Sequence, residues 1–448
     1  MTDTKVGSER CAGQTRRAAA IGFVAAGTLI SATLSGCSGN AAPEWPPLQK
    51  KWFERAQVSF KVLDFDDAEA AIANAIRVDA HREEVRILAA KIALANLDYA
   101  AAIKQVDGLA SGEARSLRGR ALWYSGKVDE AADELEQLLS DPEVRDPWAE
   151  QVVKIERRGS GRHPFTMSGS MIAVTEMPNA GNSALLVPLE LDGEPVLGLI
   201  STGVPEVTVD SSAGREASWV SLRFDGRLEV KDVPAMSQDL SGISRQLGAP
   251  IKVLLGVNLL RHLNTTFDFF GSQFVVRNFV PPAPPVATTV KLHYVRGGGM
   301  VLRGHFGNTE QSPAAAMIVD TSMQFPLLLD DGGWKKAGVD AKRLAVVEGM
   351  KDLRHGVVPM LQLGAFEIPQ VPGVEGGELA KYESSLGIEL DGMVGSRLLA
   401  AFRVTLTDDG RTMWLEDAPT PMQSGDAPAA QGPDGPAGAA VSPPANPG

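Results

Sequence analysis

Cysteine is scarce in this sequence, runs of basic residues are absent, and beyond residue 40 no long apolar stretch occurs. Cys11 and Cys37 are the only two cysteines, too few for a disulfide framework or a thiolate metal site. With a net charge of −12 and no cluster of Lys and Arg, the chain lacks the positive surface that phosphate backbones require, so nucleic acid is excluded as a partner. No segment after residue 40 reaches the roughly 18 consecutive apolar residues that a membrane-spanning helix needs. The histidines (His81, His163, His262, His293, His305 and His355) show no His-Glu-x-x-His or other paired spacing, and no Gly-x-Ser-x-Gly elbow is present. Neither a metal, nor a cofactor, nor a serine-hydrolase centre is expected. What the chain does have is an apolar fraction of 44% over 448 residues, enough for several cores and, by length, about three domains.

The first 36 residues carry an address. Arg16-Arg17 is followed by a mostly apolar segment from Ala18 to Leu34, and then by Leu34-Ser35-Gly36-Cys37. A basic region, an apolar core and small residues before a cut mark a secretory signal. With cysteine next, the pattern resembles the lipobox of bacterial lipoproteins, which implies a thioether lipid on Cys37 and cleavage before it. A simple signal or a short anchor helix is the alternative. Two or more acyl chains anchor stably where one is marginal. By the same resemblance, Ser38 in place of Asp after the cysteine favours the outer membrane, facing the periplasm. Arg16-Arg17 hints at twin-arginine export, although Ala18-Ala19-Ala20 matches that signal poorly. Losing residues 1–36 removes four basic and two acidic side chains, which leaves 412 residues at −14 with Cys37 as the sole cysteine.

Residues 37–49 contain Pro43, Pro46 and Pro47 and read as a tether; residues 50–158 turn to Ala, Leu, Glu and Arg with Pro only at Pro142 and Pro147. Here a motif repeats. Asp64-Phe65-Asp66-Asp67-Ala68 returns 34 residues on as Asp98-Tyr99-Ala100-Ala101-Ala102, and 29 further on as Lys127-Val128-Asp129-Glu130-Ala131. Each copy opens a helix with one apolar face: Ala68, Ile72 and Ala75; Ala102, Val106 and Leu109; Ala131, Leu135 and Leu138. The period, the aromatic at the turn and the small alanines resemble the tetratricopeptide repeat. The third copy is five residues short and the first lacks the usual small residues in its opening helix, so a general array of helical hairpins is the other reading. Such arrays imply protein partners.

From residue 165 to 417 the pattern changes to short alternating or fully apolar runs: Ala184–Leu191, Val196–Ile200, Phe274–Arg277, Thr288–His293 and Ala315–Val319. Leu191-Asp192-Gly193-Glu194 predicts a hairpin turn. Gly297-Gly298-Gly299, with no helix after it, reads as a flexible turn and not as a phosphate loop. Asn264-Thr265-Thr266 fits a glycosylation sequon but falls in a strand-like core segment. A Pro-rich linker at 281–287 divides this region into lobes at 165–280 and 288–417, and residues 418–448 form a Pro, Ala and Gly tail predicted to be disordered.

The two lobes are copies. A shift of 139 residues lays Leu254–Leu260 on the stretch ending at Leu399, with Gly256 on Gly395, Thr266 on Thr405 and Gly271 on Gly410. Upstream, a shift of 119 lays Leu199-Ile200-Ser201-Thr202-Gly203 on Ile318-Val319-Asp320-Thr321-Ser322. The order of hairpin, apolar-apolar-(Ser/Asp)-Thr-(Gly/Ser), apolar-apolar-Gly and closing hairpin resembles the retropepsin-like aspartic peptidases, and two fused copies resemble the bilobed pepsin-like arrangement. The chain as a whole is then an α + β multidomain protein, a helical repeat array followed by a mostly-β bilobed aspartic-peptidase-like fold.

That resemblance implies one aspartate from each lobe. Two adjacent carboxylates share a proton, so that one activates water while the other donates to the scissile carbonyl. Lobe 2 supplies Asp320-Thr321-Ser322. Lobe 1 supplies Ser201-Thr202-Gly203, in which the frame is kept and the carboxylate is gone. A hydroxyl cannot stand in for the ionised member, and it removes the repulsion that keeps a proton on the other. Thr202 and Thr321 are expected to tie the loops together, Gly203 and Ser322 to let the chain turn beside substrate, and Gly256 and Gly395 of the apolar-apolar-Gly elements to support the site. Competing readings make Asp320 a plain turn former, Ser201 a surface-loop residue, or Glu206 or Asp210 a substitute carboxylate.

The expectation is therefore a lipid-anchored envelope protein that binds peptides or proteins through the interlobe cleft and the repeats without turnover. One alternative is an active endopeptidase pairing Asp320 with Asp320 across a homodimer, and another is a scaffold in which the repeats do all the binding. The segments Ser211–Gln246 and Asp340–Gly377 should contain the flaps.

Overall fold

The computed structural model describes residues 44–178, 184–309, 311–347, 349–376 and 379–417. The leader, Cys37 and the tail from 418 lie outside the described residues, and the tether is described only from Glu44. Among the described residues no helix is long and apolar enough to cross a membrane.

Helix α1 (Pro47–Lys61) begins earlier than the composition suggests, because Pro47 sits at its first turn, where a missing N–H costs nothing. It pairs with α2 (Phe65–Val78); α3 (Glu83–Ala95) pairs with α4 (Tyr99–Val106), α5 (Gly112–Tyr124) pairs with α6 (Val128–Leu139), and α7 (Pro147–Arg157) packs on α6. The repeated motif is the turn inside each hairpin. Leu63, Leu97 and Gly126 take positive φ there, and the next residue's N–H (Asp64, Asp98, Lys127) bonds the carbonyl five residues back (Ser59, Ala93, Leu122). The left-handed conformation is costly for leucine, and burial of both side chains offsets it. Asp64 and Asp98 then cap the second helix by accepting from the N–H of Asp67 and Ala101. The expected apolar faces are buried except at Leu109: α4 stops at Val106, so Leu109 lies beyond the helix and is only half-buried.

Among the described residues the β region forms three sheets. Lobe 1 comprises β1 (Thr166–Gly169), β2 (Ile172–Glu176), β3 (Leu186–Leu191), β4 (Glu194–Ile200), β5 (Val207–Asp210), β6 (Ser218–Phe224), β7 (Leu228–Gln238), α8 (Ser241–Leu247), β8 (Ile251–Leu255), α9 (Val257–His262), β9 (Thr266–Asp268) and β10 (Gln273–Arg277). Lobe 2 comprises β11 (Thr288–Lys291), β12 (His293–Val295), β13 (Gly299–His305), β14 (Ala314–Asp320), β15 (Leu327–Leu329), α10 (Asp331–Lys336), β16 (Ala345–Val347), β17 (Met350–Leu363), β18 (Phe366–Glu375), α11 (Leu379–Leu386), β19 (Gly392–Gly395), α12 (Ser396–Leu399), β20 (Phe402–Thr407) and β21 (Thr412–Asp417). The predicted run Thr288–His293 thus divides between two strands, which join different sheets. Asp192 and Gly193, both at positive φ, make the predicted tight turn between β3 and β4.

The first sheet contains the series β7-β5-β8-β4-β3 and the second the series β18-β15-β19-β14-β13. Directions agree too. β8 is parallel to β4 and antiparallel to β5, as β19 is parallel to β14 and antiparallel to β15. The third sheet, in the order β11-β21-β20-β9-β10-β2, takes three strands from each lobe. Its central seam pairs Thr266 with Thr405, the same two residues that the 139-residue shift superimposes, with their hydroxyls 2.8 Å apart. Beside them Arg403 reaches Asp268 at 2.6 and 3.0 Å, a charge-assisted clasp between lobes. Asn264 of the sequon is buried in this core and accepts from Thr407, so it is no surface acceptor for a glycan.

Candidate interlobe site

β4 and β14 end side by side at the centre of the molecule. Each hands its chain to a Thr: Thr202 after Ser201, Thr321 after Asp320. The Thr202 N–H donates to Thr321 Oγ1 at 3.1 Å, and the Thr321 N–H donates to Thr202 Oγ1 at 3.0 Å. Each hydroxyl in turn donates across the boundary, Thr202 to the Val319 carbonyl at 2.9 Å and Thr321 to the Ile200 carbonyl at 3.0 Å. These four bonds obey a pseudo-two-fold axis and are made entirely out of water, since both residues are buried. The predicted tie between loops is therefore present within one chain.

The two glycines behind the loops obey the same symmetry. A Cβ on Gly256 would lie 2.3 Å from the Glu206 carbonyl, and one on Gly395 would lie 2.1 Å from that of Phe325. Glu206 and Phe325 are themselves 119 residues apart, which confirms the upstream register. The N–H of Val257 to the Val204 carbonyl at 3.1 Å matches that of Ser396 to Met323 at 2.9 Å.

Asp320 is not a mere turn former. It is 5% exposed and engaged on both oxygens: the Ser322 N–H and hydroxyl donate to Oδ1 at 2.9 and 2.6 Å, and the Tyr382 hydroxyl donates to Oδ2 at 3.1 Å. Its carboxyl also abuts Gly203, where an added Cβ would come within 2.4 to 2.7 Å of it. Ser201 is 3% exposed, at the end of β4 and in the frame of Asp320, not on a surface loop. At the position that the 119-residue register gives to a partner of Asp320 stands Ser201, and the Tyr382 hydroxyl is bonded to the second oxygen of Asp320.

The two substitute carboxylates are engaged elsewhere. Glu206 accepts from Trp148 Nε1 at 3.2 Å and from Asn258 Nδ2 at 3.0 Å, which joins α7 to lobe 1. Asp210 accepts from Lys252 at 2.8 Å, from the Ser212 N–H and hydroxyl, and from the Leu240 N–H. Burial alone would raise its pKa, but these donors outweigh it and hold the carboxyl well below the usual range. Neither acid replaces the missing one.

Gly297-Gly298-Gly299 is not a free turn. Added Cβ atoms would meet Tyr124 of α5 at 2.2 Å, Pro205 of the Ser201 loop at 2.2 Å and Leu386 of α11 at 2.9 Å. Three glycines let the β12–β13 connection pass where array, lobe 1 and α11 converge. The helices are thereby part of the same body: the Trp123 ring of α5 lies 6.4 Å from that of Trp219 in β6, and Arg261 of α9 bonds the Tyr99 hydroxyl. Burial first, and then the nearby charge of Glu206, push the Tyr124 hydroxyl's pKa well above its usual value, so it stays protonated.

Sequence reasoning missed Tyr382, Trp148 and Tyr124. Tyr382 lies 62 residues beyond Asp320 with no motif to link them; the other two belong to the repeat array, where nothing in the sequence signals that it faces the lobes. The segments in which flaps are expected contain the β6–β7 hairpin of lobe 1 and the β16–β17 hairpin of lobe 2, and residues 211–217 form no strand. Among the described residues no group of three or more His, Cys, Asp or Glu is placed to hold a metal ion.

Neither a protein-family model nor a curated protein sequence matches this chain. Among solved structures, it is similar to a retropepsin-like aspartic protease from Rickettsia conorii, at 18% identity over 29% of this chain and 87% of that one, with a TM-score of 0.21. It is also similar to basic 7S globulin from soybean, at 10% identity over 57% of this chain and 96% of the other, with a TM-score of 0.38.

Proposed function

We propose that the β region is a bilobed aspartic-peptidase-like body that has lost its catalytic dyad and binds other polypeptides without cleaving them. The observation that carries this reading is the interlobe lock. Thr202 and Thr321 hold the two loops in register, yet that register sets Ser201 opposite an Asp320 already engaged by Ser322 and Tyr382. General acid–base hydrolysis by a dyad needs two carboxyls within reach of one water, and only one is here. Gly203 of the same chain already lies against the Asp320 carboxyl, which weighs against pairing Asp320 with Asp320 across a homodimer.

Two further parts of the proposal rest on sequence. Leu34-Ser35-Gly36-Cys37 supports a lipid on Cys37 and an outer-membrane position facing the periplasm. The 34-residue spacing of Asp64 and Asp98, with one turn geometry at both, supports a tetratricopeptide-like array that contributes to partner binding.

The test is to incubate the full chain with a peptide mixture prepared from unrelated proteins, and to follow retention and mass together. Saturable retention of a subset that is later released at unchanged mass is the expected result. Retention of nothing, or release as shorter products, overturns the reading.

A further inference from the structure

The pseudo-two-fold axis relates two grooves, one filled and one open. On lobe 1 the groove lies between the segment after Ser201 and the β6–β7 hairpin, and α7 fills it. Trp148 donates to Glu206, Arg158 bonds Glu216 and the Ala217 carbonyl, and Gln151 accepts from the Ser237 N–H at 2.9 Å. Ala217 and Met236 join the apolar core made by Ala149, Val152 and Ile155 of α7.

Strand registers identify the same places on lobe 2. Thr208 pairs with Met236, and its counterpart Leu327 pairs with Gly373. From this, Phe325 stands for Glu206, His355 for Glu216, Gly356 for Ala217, Gly373 for Met236, Val374 for Ser237 and Arg397 for Asn258. All six lobe-2 residues line one open cavity of ≈ 580 Å³. Gly356 and Gly373 lie against the buried Trp334 ring, where an added Cβ would come within 3.2 to 3.3 Å of it, and at Gly356 within 2.4 Å of Leu344 as well. No helix of the described residues covers it.

The charge is inverted between the two grooves. Lobe 1 offers the acids Glu206 and Glu216, and α7 meets them with an indole N–H and an arginine. Lobe 2 offers His355 and Arg397, both exposed, and Arg397 makes no ion pair among the described residues. We propose that this groove docks an amphipathic helix from another protein, lying as α7 lies on lobe 1, with its apolar face over Phe325 and Val374 and acidic side chains toward His355 and Arg397. This deepens the reading of the body as a binding module by naming the class of partner, and apolar helix-in-groove contacts are a recurring mode of recognition.

The experiment pans a displayed library, containing amphipathic 14-residue helices of varied charge and extended peptides in equal number, against the full chain. Acidic amphipathic helices should be enriched. Their affinity should fall roughly tenfold or more in Arg397→Glu, the usual loss for a charge-assisted contact, and should fall as well in His355→Glu, which sets a carboxylate against the acidic helix. Both positions are exposed, and matching thermal melts verify that the variants fold. The double variant should instead prefer basic helices. Enrichment of extended peptides alone overturns this inference and leaves the binding reading standing. Enrichment of neither overturns both. Binding of acidic helices that both variants leave unchanged places them elsewhere and overturns the groove.

Discussion

Thr202 and Thr321 each do two things with one hydroxyl, and that doubling sets the cost of losing either. In Thr202→Val the Thr321 N–H loses its acceptor and the Val319 carbonyl its donor, both in a dry interior. An orphaned buried group costs roughly 1–3 kcal/mol, so urea unfolding should show a loss of about 2–5 kcal/mol from the pair. A change below about 0.5 kcal/mol would mean that water reaches the lock. The Thr-bearing tripeptides were legible because both copies keep them. Tyr382 was not, since a hydroxyl supplied by a helix near the end of the lobe leaves no local trace in sequence. The mismatch of Ser201 with Asp320 was legible as chemistry, but only the structure shows that Asp320 is held on both oxygens.

Among elements, the helical hairpins share a turn but not a cap. Asp64, Asp98 and Lys127 have nearly the same backbone angles, φ −85, −88 and −86° with ψ 71, 78 and 64°, yet the lysine accepts no helix N–H. Lys127→Asp supplies the missing acceptor without moving the chain. It should stabilise α6 by about 0.5–1 kcal/mol in thermal unfolding, and destabilisation would show that the turn is not equivalent. The repeat was readable because Asp before a helix has a single physical use at that position. The duplicated β order was readable for a different reason: Gly256 and Gly395 are fixed by backbone carbonyls, so no other residue fits either place. Which elements face each other was not readable. Nothing in Gly297-Gly298-Gly299 announces that an aromatic helix, a loop and α11 press on it from three sides, and an unpacked glycine turn has the same sequence.

At the scale of the whole molecule, two neutral histidines make stability depend on pH, His262 within lobe 1 and the buried His293 where lobe 2 meets the array. Burial, reinforced by Arg261, lowers the His262 pKa to about 4, while its Nδ1 lies 2.6 Å from the Asn258 carbonyl and its ring stacks on Phe165. Burial, with Lys291 adding to it, lowers the His293 pKa to about 4, where the ring meets Asn96 of the array and lies 4.3 Å from that of Phe65. A folded pKa below the unfolded value of 6.5 means that unfolding takes up protons. Their contribution is therefore whole above pH 6.5 and is lost as pH falls from 6.5 to about 4, by on the order of 2–3 kcal/mol for each. Chemical unfolding at pH 7 and pH 4.5 should show this drop in the full chain and a smaller one in His293→Asn; equal stability at both pH values would contradict it. The central claim remains the lost dyad. Its most direct test is cleavage of a mixed peptide library by the full chain from pH 3 to 7, beside Asp320→Ala. The account predicts no products from either protein. Products from the wild type that vanish in Asp320→Ala would contradict it.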